Sequence, residues 1–393
     1  MSEIHIEAAY KSLNKKGEEL CGDHVMIKRN KDSFVMVLAD GLGSGVKANI
    51  LSTLTSTIIS EMIYSGCELE EAVETISETL PVCKVRGVAY STFTIVQVFY
   101  NGEANIVEFD NPSTVIIRDK KILEIEEKHK VINGRNLIIR NFICKPNDYI
   151  VSFSDGIIHA GIGQVLNLGW SHEEVSKFLI THLRDNDRAK DLTRLLLINV
   201  NYLYGGLPGD DSTVACAKVL ESKESRVMVG PPSKVEDDEK VVRRLMSASG
   251  LKICCGGTTS NIVSRIINKP LEVDDIISIE SDVPPKGYIK GLDLVTEGVL
   301  TLQKTNRLLS ECVKSNDFLD KIEYSDAQDG ASLLAKLLLK EASEITFMVG
   351  LSDNPAHNSI AYSTISLNAK IQLINEMKKN LEKLGKIVNI EMY

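Results

Sequence analysis

Apolar and polar positions change rhythm once along this chain, and the two rhythms predict two kinds of domain. Up to about residue 220, strand-like runs stand among long amphipathic helices. "SFVMVLAD" (33–40) is an apolar run that stops on an acid and predicts a buried strand. "GVKANILSTLTSTIISEMIYSG" carries apolar residues at helical spacing and predicts a long helix closing at Gly66. "ELEEAVETISETL" predicts a second helix. In "YSTFTIVQVFYNGEANIVEFD" two strands flank Asn101-Gly102, which predicts a hairpin with positive φ at both turn positions. Strands are expected again in "KILEIEEK", "DYIVSFSDG" and "DDSTVACAKVL". Helices are expected in "SHEEVSKFLITHL" and "AKDLTRLLLINVNYL".

Beyond the polar run "ESKES", short apolar runs ("RVMVG", "LKICC", "GLDLVTEG", "EITFMVG") alternate with helical stretches such as "DDEKVVRRLMSASG" and "SNIVSRIINK". That alternation is the pattern of βαβ units and predicts a mostly parallel sheet. The expected organisation is an α+β domain over 1–220, a linker at 221–225 and a smaller α/β domain over 226–393.

Composition narrows the partners. A net charge of -9 gives no reason to expect nucleic acid or an acidic membrane. The densest basic stretch, "EMKKNLEKLGK", alternates with acids and reads as a solvated helix face. No uncharged apolar run approaches the roughly 18 residues of a membrane span, and the N-terminus lacks the layout of a secretory signal. Eight cysteines occur without a Cys-x-x-Cys pair. Reduced, buried thiols and a cytoplasmic location are therefore expected. A homodimer is compatible with the sequence, which does not set the oligomeric state.

The candidate chemistry lies at strand ends. In "ADGLGSGVKA" the glycines run G-x-G-x-G, not the G-x-G-x-x-G of a dinucleotide cradle, and Asp40 before them would repel a pyrophosphate. An acid followed by glycine at a strand end suits a hard divalent cation instead. The design recurs in "VSFSDGIIHAG" with Asp155-Gly156, in "LPGDDSTV" with Asp210 and Asp211, and in "LCGDHVMI" with Asp23. Each acid alone also reads as an ordinary turn residue. Together, unpaired with Lys or Arg, they would repel one another unless divalent ions offset the charge. No His/Cys set at zinc spacing competes. His24 and His159 read as structural, Ser44 and Thr213 as hydrogen-bonding supports, and Lys15 and Lys16 as members of a solvated loop, against the alternative of point charges for a phosphate.

The four motifs "GD" (22–23), "ADGLGSGVKA" (39–48), "FSDGI" (153–157) and "GDDSTV" (209–214) resemble, in order and spacing, those of the metal-dependent PPM protein phosphatases. More narrowly they resemble the bacterial branch typified by the stage II sporulation protein E phosphatase domain. The resemblance covers about 1–220. It implies a two-sheet β-sandwich flanked by helices and two Mn2+ or Mg2+ ions. Asp40 would bridge the ions, with the Gly41 carbonyl on one of them. Asp155 and Asp210 would complete the shell of one ion, Asp23 would stand near the second, and Asp211 would orient beside the last ligand. The implied activity is hydrolysis of phosphoserine or phosphothreonine in a phosphorylated protein by direct attack of water. Two other readings stay open: a non-catalytic phosphatase-like sensor, and a phosphatase of small phosphorylated metabolites.

The second domain resembles no named family. "LKICCGGTTSNIVSRII" reads as a strand, a Gly-Gly-Thr-Thr loop and a helix, a junction suited to an anion. "GPPSK" (230–234), "DLVTEGVLT" (293–301) and "GLSDNPAHN" (350–358) also follow or join strands. A small-molecule or anion site built from Gly256, Gly257, Thr258, Thr259, Asp293 and Glu297 is expected, against the plainer reading of well-formed βα turns.

Overall fold

The computed structural model describes residues 4–79, 91–163, 165–273, 286–323, 325–326, 329–352 and 367–393. Most of "GLSDNPAHN" therefore lies outside the described residues. The chain falls into two compact units, Met1–Glu221 and Ser222–Tyr393.

The first unit opens with β1 (Ile4–Leu13), β2 (Asp23–Arg29), β3 (Ser33–Gly41), α1 (Gly45–Tyr64) and α2 (Leu69–Thr79). A meander follows: β4 (Ser91–Phe99), β5 (Glu103–Phe109), β6 (Val115–Arg118), β7 (Lys121–Ile122), β8 (Glu127–Ile132), β9 (Arg135–Ile143) and β10 (Tyr149–Phe153). It closes with α3 (Asp155–Ile158), α4 (His172–His182), α5 (Ala189–Leu203) and β11 (Ser212–Glu221). The strands form two antiparallel sheets, ordered β2-β3-β4-β5-β9-β8 and β1-β11-β10-β6-β7.

The apolar run of β3 is buried on both faces. Val35, Val37 and Ala39 pack with Ile59 and Ile63 of α1 and with Phe93 and Ile95 of β4. Phe34, Met36 and Leu38, equally buried, point the other way because side chains alternate along a strand. Leu192, Leu196 and Val200 of α5, at helical spacing, cover Val151, Phe153, Val214 and Cys216 of the five-stranded sheet. Each such aliphatic side chain contributes about 1.5–3 kcal/mol by leaving water. These two covered sheets hold the ends of β2, β3, β10 and β11, where the acids sit.

The second unit runs β12 (Glu224–Val229), α6 (Asp238–Met246), β13 (Leu251–Cys255), α7 (Gly257–Ile267), β14 (Glu272–Val273), β15 (Gly287–Tyr288) and β16 (Leu294–Thr296). It continues through α8 (Val299–Lys314), α9 (Asn316–Glu323), α10 (Gly330–Lys340), β17 (Glu344–Val349), α11 (Leu367–Lys383) and β18 (Ile387–Met392). Strands β16, β13, β12, β17 and β18 are parallel neighbours, and β15 and β14 extend the edge antiparallel. Helices α6 and α7 cover one face, and α8, α10 and α11 cover the other. The mostly parallel α/β sheet is as expected.

Several local expectations change. The hairpin forms, but Asn101 is not left-handed; Gly102 alone has φ +101° and donates to the Phe99 carbonyl, as in a three-residue loop. "KILEIEEK" is not one strand but the short β7 and the start of β8. Gly257, Thr258 and Thr259 are the first turn of α7 and not a loop. The polar run 221–225 ends β11 and begins β12, leaving two residues between strands. β1, which the pattern of residues did not announce, pairs along its whole length with β11. Among the described residues, no helix is long and apolar enough to cross a membrane.

Candidate metal centre

Sheet register makes the first pair of acids. Asp23, at the head of β2, stands directly opposite Asp40, near the end of β3. Facing residues of an antiparallel pair have Cβ atoms about 4.5–5.5 Å apart. The Gly41 N–H donates to the Gly22 carbonyl at 3.1 Å and closes the pair. From the other sheet, Ser154 at the end of β10 donates its hydroxyl to Asp23 Oδ2 at 2.7 Å and accepts from the Thr213 N–H at 2.8 Å. The next residue, Asp155, opens α3. Thus three distant stretches of chain meet through Ser154.

The last acids sit in the loop before β11. The Lys15 N–H donates to Asp211 Oδ1 at 2.9 Å, and Lys15 Nζ lies 3.2 Å from Asp210 Oδ1. The Lys16 N–H donates to the Pro208 carbonyl at 2.8 Å, so this loop is tied down at its base. Lys15 is therefore no solvated bystander: its backbone is held and its ammonium faces the acids. His159 Nδ1 lies 3.8 Å from Asp155 Oδ2. His24 turns away, with Nδ1 2.7 Å from Ser56 Oγ on α1, and Ser44 Oγ donates to Glu18.

Both Asp-Gly pairs have a steric reason. A Cβ on Gly41 would fall 2.0 Å from the Ala48 carbonyl oxygen, and one on Gly156 would fall 2.0 Å from the Asp211 carbonyl oxygen. Glycine lets α1 and the 208–211 loop press against the strand ends that carry Asp40 and Asp155.

Electrostatics mark the cluster as strained. Burial pushes the Asp40 carboxyl up to about 9, with the charges of Asp23, Asp155 and Asp210 adding to the rise. Burial pushes Asp23 up to about 7, against the hydrogen bonds from Ser154 and Thr213, which pull it down. Asp155 is raised as well, chiefly by burial, while His159 opposes the rise. Burial and then the charge of Asp23 push the neighbouring Cys21 thiol up to about 12, which makes it a poor nucleophile.

Among the described residues, no group of three His, Cys, Asp or Glu side chains is arranged to hold an ion. The donor set nonetheless fits hard divalent cations. It is all oxygen, it carries mutually raised carboxyls, and two buried carboxylate oxygens, Asp23 Oδ1 and Asp211 Oδ2, have no hydrogen-bond partner. Asp23, Asp40, Asp155 and Asp210 gather here with Asp211 and the Gly41 backbone beside them. Ser154 was not singled out from sequence. A small polar residue before the second Asp-Gly was its available sign.

The second unit divides its expected residues. Gly256, Gly257, Thr258 and Thr259 lie where β13 enters α7, and Glu297 lies where β16 enters α8. Asp293 does not join them. It precedes β16 and exchanges hydrogen bonds with the Lys252 backbone at the opposite end of the strands. Sequence pattern names a strand without saying which end of the sheet its flanking residues reach. Glu297 Oε2 accepts from the Gly298 N–H at 2.7 Å and so occupies one helix N-terminus itself. A cavity of about 340 Å³ lies here, lined by Gly257, Ser260, Leu271, Val295 and Glu297 among others. Another, of about 300 Å³, lies beside Thr114, Arg140 and His172, and none of the clustered aspartates lines it.

The first unit, a covered antiparallel sandwich with acids at the ends of its strands, is similar to the PPM-type (PP2C-like) phosphatases. Within it, residues 30–220 match the family model described as stage II sporulation protein E (SpoIIE). The chain is 25% identical over 210 residues to a stage II sporulation protein E of Priestia megaterium, covering 52% of this chain and 35% of that one. It is 30% identical over 76 residues to the phosphoserine phosphatase RsbX of Bacillus subtilis, covering 19% of this chain and 37% of that one. The crystallised SpoIIE phosphatase domain of Bacillus subtilis superimposes with a TM-score of 0.45 at 18% identity, over 56% of this chain and 95% of that one. The chain thus spans about a third of the length of the sporulation protein it matches.

Proposed function

We propose that the first unit hydrolyses phosphoserine and phosphothreonine in a phosphorylated protein, with two divalent ions, Mn2+ or Mg2+, held by Asp23, Asp40, Asp155, Asp210 and the Gly41 carbonyl. Such ions supply Lewis acidity: they offset phosphoryl charge and make water a stronger nucleophile near neutral pH. The observation that carries the reading is the convergence of acids from four motifs, with two carboxyls pushed up to about 7 and about 9. A cluster held at that electrostatic cost is what a divalent pair relieves.

The chain's own groups have separable tasks. Asp40 faces Asp23 across the strand pair and feels the charges of Asp23, Asp155 and Asp210. Ser154 and Thr213 aim the Asp23 carboxylate, and Asp211 ties the Lys15 backbone to the last motif. The name of the matched relative RsbX, a phosphoserine phosphatase, supports the substrate class. The full chain incubated with p-nitrophenyl phosphate tests the chemistry. Hydrolysis that needs Mn2+ or Mg2+, stops with EDTA and is lost in Asp40→Ala is expected. Activity indifferent to EDTA refutes the mechanism. Metal uptake with no phosphomonoester hydrolysis makes the unit a sensor, and preference for metabolites over phosphopeptides changes the substrate class.

For the second unit the reading is a regulatory site for a small molecule or anion at Gly256, Gly257, Thr258 and Thr259, with the Glu297 carboxylate, held by the Gly298 N–H, at its edge. It is supported by the opening of α7 on a glycine with no side-chain cap and by the buried Thr259 hydroxyl, which has no partner. A thermal-shift series with phosphate and mononucleotides tests it, and no shift at millimolar concentration counts against it.

A further inference from the structure

Residues 123–126 carry the chain from β7 of the five-stranded sheet to β8 of the six-stranded one. The cavity of about 300 Å³ opens at this crossing, against the start of β6. A buried ion pair fixes its floor. Arg140 Nη2 donates to Glu108 Oε1 at 2.6 Å, and the same oxygen accepts the Thr114 N–H at 2.6 Å. Arg140 Nη1 donates to the Thr114 carbonyl at 3.0 Å, so both backbone groups of Thr114 are held by side chains of the other sheet. His172 Nε2 donates to the Ser113 carbonyl at 2.7 Å. Sheet register then places the cavity relative to the acids. Val115 faces Val151 on β10, and Thr114 Oγ1 lies 3.0 Å from Ser152 Oγ, so the register runs on past the end of β6. Ser152 stands three residues before Asp155, roughly 10 Å at the rise of a strand.

The wall of the cavity is aliphatic and its rim is acidic. Leu123 and Ile125 are partly buried along it, while the Glu124 and Glu127 side chains are exposed. Arg140 is already neutralised by Glu108, so the charge left over at the cavity is that of the two rim carboxylates. An anion is turned away by that rim, and a wholly apolar molecule leaves it unused. A long basic side chain matches both parts, because its methylene stem takes the aliphatic wall while its charged head reaches the carboxylates. A protein that brings a phosphorylated residue to the acids carries its flanking residues past this cavity. We propose that the cavity is a substrate subsite for one arginine or lysine side chain of the phosphoprotein, about three residues of extended chain away from the phosphorylated one. Glu124 and Glu127 set its preference for positive charge. This rests on the phosphatase reading above and narrows its substrates to proteins with a basic residue near the phosphorylated position.

The test uses the full Mn2+-loaded chain at constant ionic strength. Phosphoserine peptides carry one arginine, moved position by position on either side of the phosphoserine, against alanine at the same place. Binding is read by fluorescence anisotropy, and KM and kcat by phosphate release. Arginine at the matching position should tighten binding and lower KM about 5-fold, as an ion pair on a buried stem does, while kcat changes less. In the double variant Glu124→Lys with Glu127→Lys, glutamate at that position should be preferred to arginine. The double variant Glu103→Lys with Glu236→Lys makes an equal change of net charge at exposed positions and should keep the wild-type preference. Should the first pair fail to fold, Glu124→Gln with Glu127→Gln decides: the arginine preference should vanish. Equal KM at every arginine position overturns the subsite. An arginine preference that survives in the folded charge variants overturns it too, since the basic residue is then read elsewhere. A chain that binds the arginine peptide more tightly but releases no phosphate sinks the phosphatase reading and leaves the subsite standing.

Discussion

At the scale of single residues, two carboxyls hold protons more tightly in the folded chain than in the unfolded one. Asp23 and Asp40 rise from the ordinary carboxyl range to about 7 and about 9. A raised carboxyl contributes stability that is complete below the unfolded value near 4 and is lost as pH climbs through the folded value. The metal-free chain should therefore lose urea resistance between about pH 5 and about pH 9, with a shallower slope in Asp40→Asn. Asp40→Asn should also raise the metal-free Tm at pH 8 by roughly 2–4 °C, since an amide needs no counter-charge, and should abolish the stabilisation given by Mn2+. Ser154 makes an independent check. It is fully buried and joins Asp23 to the Thr213 N–H, so Ser154→Ala should cost about 1–3 kcal/mol in urea unfolding through the two groups left unpaired.

At the scale of elements, the strand ends are set by close backbone approach. Gly41 and Gly156 each leave room for a carbonyl that a Cβ would strike at 2.0 Å. Gly156→Ala should destabilise by about 2–4 kcal/mol, because a backbone atom cannot step aside as a side chain can, and weaken Mn2+ binding as Asp155 and Asp211 part. An unfolding midpoint equal to that of the wild type would contradict the packing argument. The acid-glycine pairs were readable because apolar run, acid and glycine are adjacent in the chain. β1 was not, because residues 4–13 become a strand by pairing with residues 212–221, a partner that local periodicity cannot reveal. The position of Lys15 at the acids has the same origin. In sequence it is one of two lysines in a polar loop, and only the tie to Asp211 and Pro208 turns it toward the site. Asp293 failed oppositely, placed by its nearness in sequence to Glu297 but carried to the far end of a three-residue strand.

At the scale of the whole molecule, two compact units carry their own apolar clusters, under α1 and α2 and under α4 and α5 in the first, and on both faces of the parallel sheet in the second. Calorimetry should show two unfolding transitions, of which Mn2+ raises one and leaves the other in place; a single transition shifted whole by Mn2+ would contradict independent units. The rhythm of apolar positions changes near residue 220, and the units divide between Glu221 and Ser222; a meander and a βαβ series bury apolar surface differently. What the rhythm did not carry was the gathering of strand ends, which depends on sheet order. The most direct test of the account is phosphate release from a phosphoserine peptide as Mn2+ is titrated into the wild-type chain and into Asp40→Asn. Release that rises with Mn2+ in the wild type and stays at the uncatalysed level in the variant is the predicted result. Release from the variant equal to the wild type, or from the wild type without any divalent ion, would contradict it.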